Sequence, residues 1–194
     1  MSSDIDIASN ALLLIGDNPI SSFTEPGAGA TAAANLYADT YTRLLSMHPW
    51  TFALKEQALS KLTQTPDPLT NYASAFQIPS DHIRTWAVLP YSNFIVVGDL
   101  IYSNEEKLLM RYVFKVAESE LPPYFTKTLE YSLAADFAQL VTESTTKSQF
   151  FEAKFKDQLA SAMAIDSQGH PQQPIVDSPF TDVRGSGRSF SSFG

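Results

Sequence analysis

The chain has 194 residues, of which 44% are hydrophobic and 18% are charged, and its net charge is −8 at pH 7. This length and composition are typical of one globular domain that can bury a sizeable core. The acidic balance disfavours tight binding to nucleic-acid phosphates, and the absence of cysteine excludes disulfides and thiolate metal sites.

Two helices are predicted in the first quarter of the chain. Asp4 can cap a helix over residues 4–16, and Gly16 is a suitable residue to follow its last turn. A loop over residues 24–30 leads to a second helix from about Thr31 to Met47, because apolar residues return there at helical spacing. The apolar run Ala11–Ile15 is too short to cross a membrane, so no membrane partner is expected.

The second helix is predicted to end at a helix-to-strand corner. Pro49 lacks an N–H group and disfavours the helical conformation of His48. After it, Trp50, Phe52 and Leu54 alternate with more polar or smaller residues, as in a half-buried strand.

The middle of the chain, residues 50–117, has the pattern of strands and turns. Two apolar runs, 94–97 and 100–102, flank Gly98-Asp99, which predicts a hairpin with a two-residue type II′ turn. Another strong strand is predicted at 108–116.

Helices are predicted again after Leu121-Pro122-Pro123. The apolar face that begins at Phe125 is interrupted by a polar break at 142–148, and a further helix ends near Ile165. From Ser167 the composition shifts to Ser, Gly, Pro and Gln, which cannot build a core of its own.

The sequence therefore predicts a mostly α fold: a four-helix bundle with an inserted antiparallel β region and an extended C-terminal arm. Residues 1–166 form the bundle, with the β insertion at about 50–117, and residues 167–194 form the arm.

Candidate catalytic groups have plainer interpretations. Ser80, Asp81 and His82 are adjacent in sequence, and adjacent residues rarely adopt the geometry of a catalytic triad. The pairs Glu105-Glu106 and Glu118/Glu120 could serve glycoside hydrolysis but are typical of a solvated turn and of a polar lead-in to a helix. No cofactor, metal site or catalytic residue is expected.

Four segments carry a resemblance to a known family. They are Asn10–Gly16 followed by Pro19-Ile20 and Ser22; Pro49–Ala53; Tyr72–Asp81, which contains Ile78-Pro79-Ser80-Asp81; and Pro123-x-Phe125 leading into Leu133-Ala134 and Phe137-Ala138. In order and spacing they resemble the head-to-tail adaptors of short-tailed bacteriophages, the tail tubular protein A family. The resemblance covers roughly residues 4–165, with Ile78 standing where leucine is usual.

This resemblance implies a non-enzymatic structural protein of the virion tail or neck, present in the host cytoplasm during assembly. Such proteins form a closed ring of about twelve copies beneath the portal protein and offer a platform for the tail nozzle protein. Genomic DNA passes through the ring without specific binding. An acidic or neutral lumen and negligible DNA binding by the free protein are expected from the net charge of −8.

The arm is the predicted contact with the portal or with a neighbouring subunit. Its apolar residues have no local core to join, and its arginines can pair with carboxylates of a partner. Truncation after Ile165 is expected to leave the fold and thermal stability unchanged but to prevent mounting on the portal. The candidate contact residues are Ile175, Val176, Phe180, Val183, Arg184, Arg188 and Phe190.

Two alternatives belong to other functional classes. A small carboxylate-dependent virion hydrolase would need a concave cleft in which two carboxyl groups face each other. A generic helical scaffold or binding module would need no ring of defined order.

Overall fold

The computed structural model describes residues 3–63 and 71–169. Within these ranges it contains four helices, seven strands and two short 3-10 turns, at Thr51–Ala53 and Glu118–Glu120. In chain order the elements are α1 (Asp4–Ile15), α2 (Ala28–Met47), β1 (Leu54–Ala58), β2 (Ser60–Lys61), β3 (Ser74–Gln77), β4 (His82–Leu89), β5 (Phe94–Val97), β6 (Leu100–Ser103), β7 (Leu109–Phe114), α3 (Pro123–Val141) and α4 (Thr145–Gln168).

The first helix has well-defined caps at both ends. Ser3, not the predicted Asp4, is the N-cap: its hydroxyl accepts from the Asp6 N–H, and the Asp6 carboxylate accepts from the Ser3 N–H. Gly16 follows the helix with φ +85°, a left-handed conformation that favours glycine, and this confirms its predicted role.

Helix α3 is the centre of the helical layer. It packs against α1, α2 and α4, and all four helices contribute buried apolar side chains to one core. The Tyr41 hydroxyl, buried in this core, donates to the Val116 carbonyl at 2.6 Å. That hydrogen bond joins α2 to the segment between the last strand and α3.

The strands form two antiparallel sheets. One has the order β1-β7-β4 and the other β2-β3-β6-β5. The predicted hairpin is confirmed, since β5 pairs with β6 across Gly98-Asp99 and Gly98 has φ +61°. A positive φ at the first turn residue and not the second is the signature of a type II′ turn.

The sheets enclose a second core of their own. Met110 and Tyr112 of β7 point into it and meet Phe76 and Ile101 from the other sheet. Val113 lies on the opposite face of β7 and joins the helical core. Strand β7 therefore connects the two cores.

The prediction of a mostly α four-helix bundle is wrong. About 51% of the described residues are helical and 21% lie in strands. The strands of the interval 50–117 are more than an insertion on a helical core, because they bury a separate apolar cluster between two sheets. The protein is a mixed fold of α and β structure.

The predicted strand at Trp50 is also wrong. Residues Thr51–Ala53 form a 3-10 turn, in which the Ala53 N–H donates to the Trp50 carbonyl at 2.9 Å, and the strand begins at Leu54. The N–H of Thr51 donates to the side chain of Asp166 and so is not free to join a sheet.

Candidate docking surface

A groove runs between β4 and β5, each of which is an edge strand of its sheet. Within the described residues β4 pairs with β7 alone and β5 with β6 alone, so each strand has one unpaired edge. Two hollows of about 620 and 610 Å³ are both lined by Thr85 of β4 and Val96 of β5, and the larger one is also lined by the stretch 57–60 of β1 and β2. We call the two hollows together the β4–β5 groove.

Strand β5 is exposed on both faces. A strand on a packed sheet normally buries every second side chain, yet all four residues of Phe94–Val97 are exposed. Trp86 and Tyr91 extend this apolar surface along one side of the groove. Together these six side chains are between 39% and 88% exposed.

The groove has an apolar end and a polar end. Trp86, Tyr91 and Phe94 line the apolar end. At the polar end, the Gln77 side-chain amide donates to the Asp99 carboxylate at 2.9 Å beside the hairpin turn. The groove therefore offers apolar surface, unpaired strand edges and a carboxylate, which suits an extended peptide segment.

An ion pair lies next to the polar end. Lys55 Nζ donates to the Asp81 carboxylate at 2.9 Å, and the Tyr112 hydroxyl donates to the same carboxylate at 2.9 Å. The Lys55 ammonium and, after it, the Tyr112 hydroxyl hold the pKa of Asp81 below its ordinary value of 3.8. The pair connects β1 to the turn that precedes β4.

Substitution Asp81→Asn should therefore cost stability in a pH-dependent way. A pKa that is lower in the folded state contributes stability above pH 3.8 and loses it as the pH falls through the folded value. Because the pair is partly exposed, we expect a loss of at most about 1 kcal/mol at pH 7 that shrinks toward pH 3. Urea unfolding at both pH values measures it, with exposed Asp157→Asn as the control. A loss that stays constant with pH would contradict the assignment.

The side chains of Asp81 and His82 are engaged with different partners. The His82 imidazole Nε2 hydrogen-bonds the Thr85 hydroxyl at 3.0 Å, and burial lowers the pKa of His82. The Asp81 carboxylate is held by Lys55 and Tyr112. These contacts give no geometry in which His82 takes a proton from Ser80 with Asp81 behind it.

A buried carboxylate fixes the corner between helix α2 and the sheets. The Asp166 carboxylate, on the last turns of α4, accepts from the Thr51 N–H at 3.0 Å, the Thr51 hydroxyl at 2.7 Å and the Tyr124 hydroxyl at 2.8 Å. His48 Nε2 lies 3.5 Å from the same carboxylate. Burial and the hydrogen bond from the Tyr124 hydroxyl to Asp166 raise the pKa of Tyr124 to about 12. We call these four residues the Asp166 cluster.

Helix α4 extends beyond its predicted end. It continues past Ile165 to Gln168, and Asp166 is 2% exposed inside it. The sequence carried a signal for this, because Asp166 continues the apolar stripe of Phe155, Leu159 and Ala162 at a spacing of three or four residues.

The predicted portal or neighbour contacts lie outside the described residues. This holds for all of Ile175, Val176, Phe180, Val183, Arg184, Arg188 and Phe190. The sequence predicts a strand at the apolar run 94–97 but carries no local signal for the β4–β5 groove.

No protein-family model matches this chain, and no curated protein matches it in sequence. Across residues 3–63 and 71–169, no helix combines the length and apolar character needed to cross a membrane.

Proposed function

We propose that this protein is a structural connector of the virion, a head-to-tail adaptor that forms a ring of about twelve copies between the portal protein and the tail nozzle protein. The observation that carries the proposal is the β4–β5 groove with its exposed apolar strand. The resemblance of the four sequence segments to head-to-tail adaptors suggests that the assembly is a ring.

The exposed apolar surface favours an assembly role over catalysis. Burial of apolar surface stabilises a complex by roughly 25 cal/mol per Å², and contiguous apolar patches on soluble proteins commonly mark interaction sites. An uncovered apolar edge strand also invites aggregation, so a connector benefits from a partner that covers it. The side chains of Phe94–Val97 are exposed without any catalytic group among them.

The charge of the chain is compatible with a DNA conduit. A net charge of −8 on each subunit disfavours phosphate contacts that would slow the passage of DNA. In this proposal the ring surrounds genomic DNA without binding it specifically.

Assembly on the portal is the direct test. Purified protein mixed with the portal protein of the same phage should give closed rings of about twelve subunits in electron micrographs. The double variant Ile95→Lys/Val96→Lys should reduce ring occupancy at least tenfold, because two ammonium groups would have to be buried at the contact.

The matched control places the same kind of charge on an exposed helix. Leu140→Lys changes an exposed apolar residue of α3 and should leave ring occupancy within about twofold, because Leu140 does not line the groove. A stable twofold dimer in place of rings, or normal rings from the groove variant, would reject the proposal.

A generic binding module is the second candidate that the same groove supports. Such a module would bind a partner through the β4–β5 groove without forming a ring of defined order, so the micrographs separate the two.

A further inference from the structure

Among the described residues β5 pairs on one edge only, and its other edge can accept an extended segment. A free strand edge presents N–H and C=O groups that another extended segment can satisfy, while alternate side chains of that segment enter neighbouring hollows. The apolar end of the groove, lined by Trp86, Tyr91 and Phe94, has room for a large apolar side chain.

The C-terminal part of the chain begins close to the sheets. Asp166 binds Thr51, and β1 starts at Leu54, three residues further along. Gly169, the last described residue of the C-terminal part, follows Asp166 by three positions. Because a chain spans at most about 3.3 Å per residue, the stretch from Gly169 to Phe180 can cover up to roughly 35 Å.

The chemistry of this segment complements the groove. It brings the apolar pair Ile175-Val176 and the aromatic Phe180, followed by the cations Arg184 and Arg188. Residues 175–184 also carry Asp177 and Asp182, which give them a net charge of −1, so the complementarity of this stretch with the groove is mainly apolar. An arginine of the segment can pair with a carboxylate at the polar end, where Asp99 lies.

We propose that the β4–β5 groove of one subunit receives residues 175–184 of a neighbouring copy, with Ile175-Val176 along β5 and Phe180 in the apolar hollow. This inference rests on the proposed ring. Segment and groove are different surfaces, so their contact is heterologous, which is the kind of contact that closes a ring. Each subunit then gives one segment and receives another.

Disulfide trapping tests the contact in the full-length protein. The chain contains no cysteine, so single-cysteine variants are free of background thiols. Val96→Cys and Phe180→Cys proteins of different tag mass are mixed, oxidised mildly and separated on non-reducing gels. We expect at least about fivefold more mixed disulfide than from Phe180→Cys with Glu152→Cys, whose cysteine is equally exposed but lies on α4.

Other outcomes assign the groove to other occupants and overturn the inference. A disulfide within one chain of the Val96→Cys/Phe180→Cys double variant, without mixed disulfide between chains, would place the segment on its own groove. Cross-links from Val96→Cys to the nozzle protein in assembled particles would assign the groove to that partner. Mixed disulfide no greater than the control would remove the contact altogether.

The trapping result and the ring result are separable. Rings on the portal without mixed disulfide would retain the proposed function and reject this inference. Mixed disulfide without rings would retain the contact and reject the adaptor.

Discussion

Replacing Trp50 with alanine should lower the free energy of unfolding by about 4 kcal/mol, because the substitution leaves a large cavity where the two layers meet. Trp50 is fully buried, and its ring centroid lies 5.0 Å from that of Phe125 in an edge-to-face arrangement. Its indole Nε1 also donates to the Leu44 carbonyl at 3.0 Å, and this acceptor loses its partner. Urea unfolding followed by circular dichroism measures the change.

The second tryptophan provides a matched control. Trp86 lies in the β4–β5 groove and is half exposed. We expect Trp86→Ala to cost less than about 1 kcal/mol, since partly exposed apolar side chains leave smaller cavities. An equal loss in the free energy of unfolding for the two variants would show that Trp50 does not stabilise the corner between α2 and β1 as the structure indicates.

The position of this corner was predictable from the sequence, but its conformation was not. Pro49 ends α2 where expected, because it lacks an N–H group and restricts His48. The alternation of Trp50, Phe52 and Leu54 suggested a strand, yet the chain makes a 3-10 turn first. The reason is a tertiary hydrogen bond from Thr51 to Asp166, two residues separated by most of the chain.

The error in fold class has a similar origin. Local periodicity predicts short strands in the middle of the chain, but it does not reveal whether they pack on the helices or on each other. Met110 and Tyr112 face one core and Val113 the other, which makes the β region a second packed layer. That division depends on pairings between strands far apart in sequence, such as β1 with β7.

The groove was hidden from the sequence for a related reason. The run Phe94–Val97 has the composition of a covered strand, and only the strand order shows that β5 is an outer strand. By contrast, the hairpin at Gly98-Asp99 was predictable because its signal is local: Gly98 tolerates the positive φ that the turn requires.

Ending the chain after Ile165 should reduce the free energy of unfolding by about 3 kcal/mol, whereas ending it after Gly169 should change it by less than about 0.5 kcal/mol. The shorter truncation product lacks Asp166, so the Thr51 N–H, the Thr51 hydroxyl and the Tyr124 hydroxyl lose their acceptor. This replaces the sequence-based expectation that truncation after Ile165 leaves stability unchanged.

The full-length variant Asp166→Ala separates the effect of losing the carboxylate on stability from the effect of shortening α4. It should lose nearly as much stability as the chain ending at Ile165, because each buried donor left without an acceptor costs about 1–3 kcal/mol. Thr51→Val removes one hydroxyl donor but retains the N–H bond, and should cost about 1 kcal/mol. If Asp166→Ala unfolds at the same urea concentration as the wild type, the Asp166 cluster does not anchor α4.

The chain ending at Gly169 is also the proper test of the arm, because it removes residues 170–194 and retains Asp166 with its hydrogen bonds to Thr51 and Tyr124.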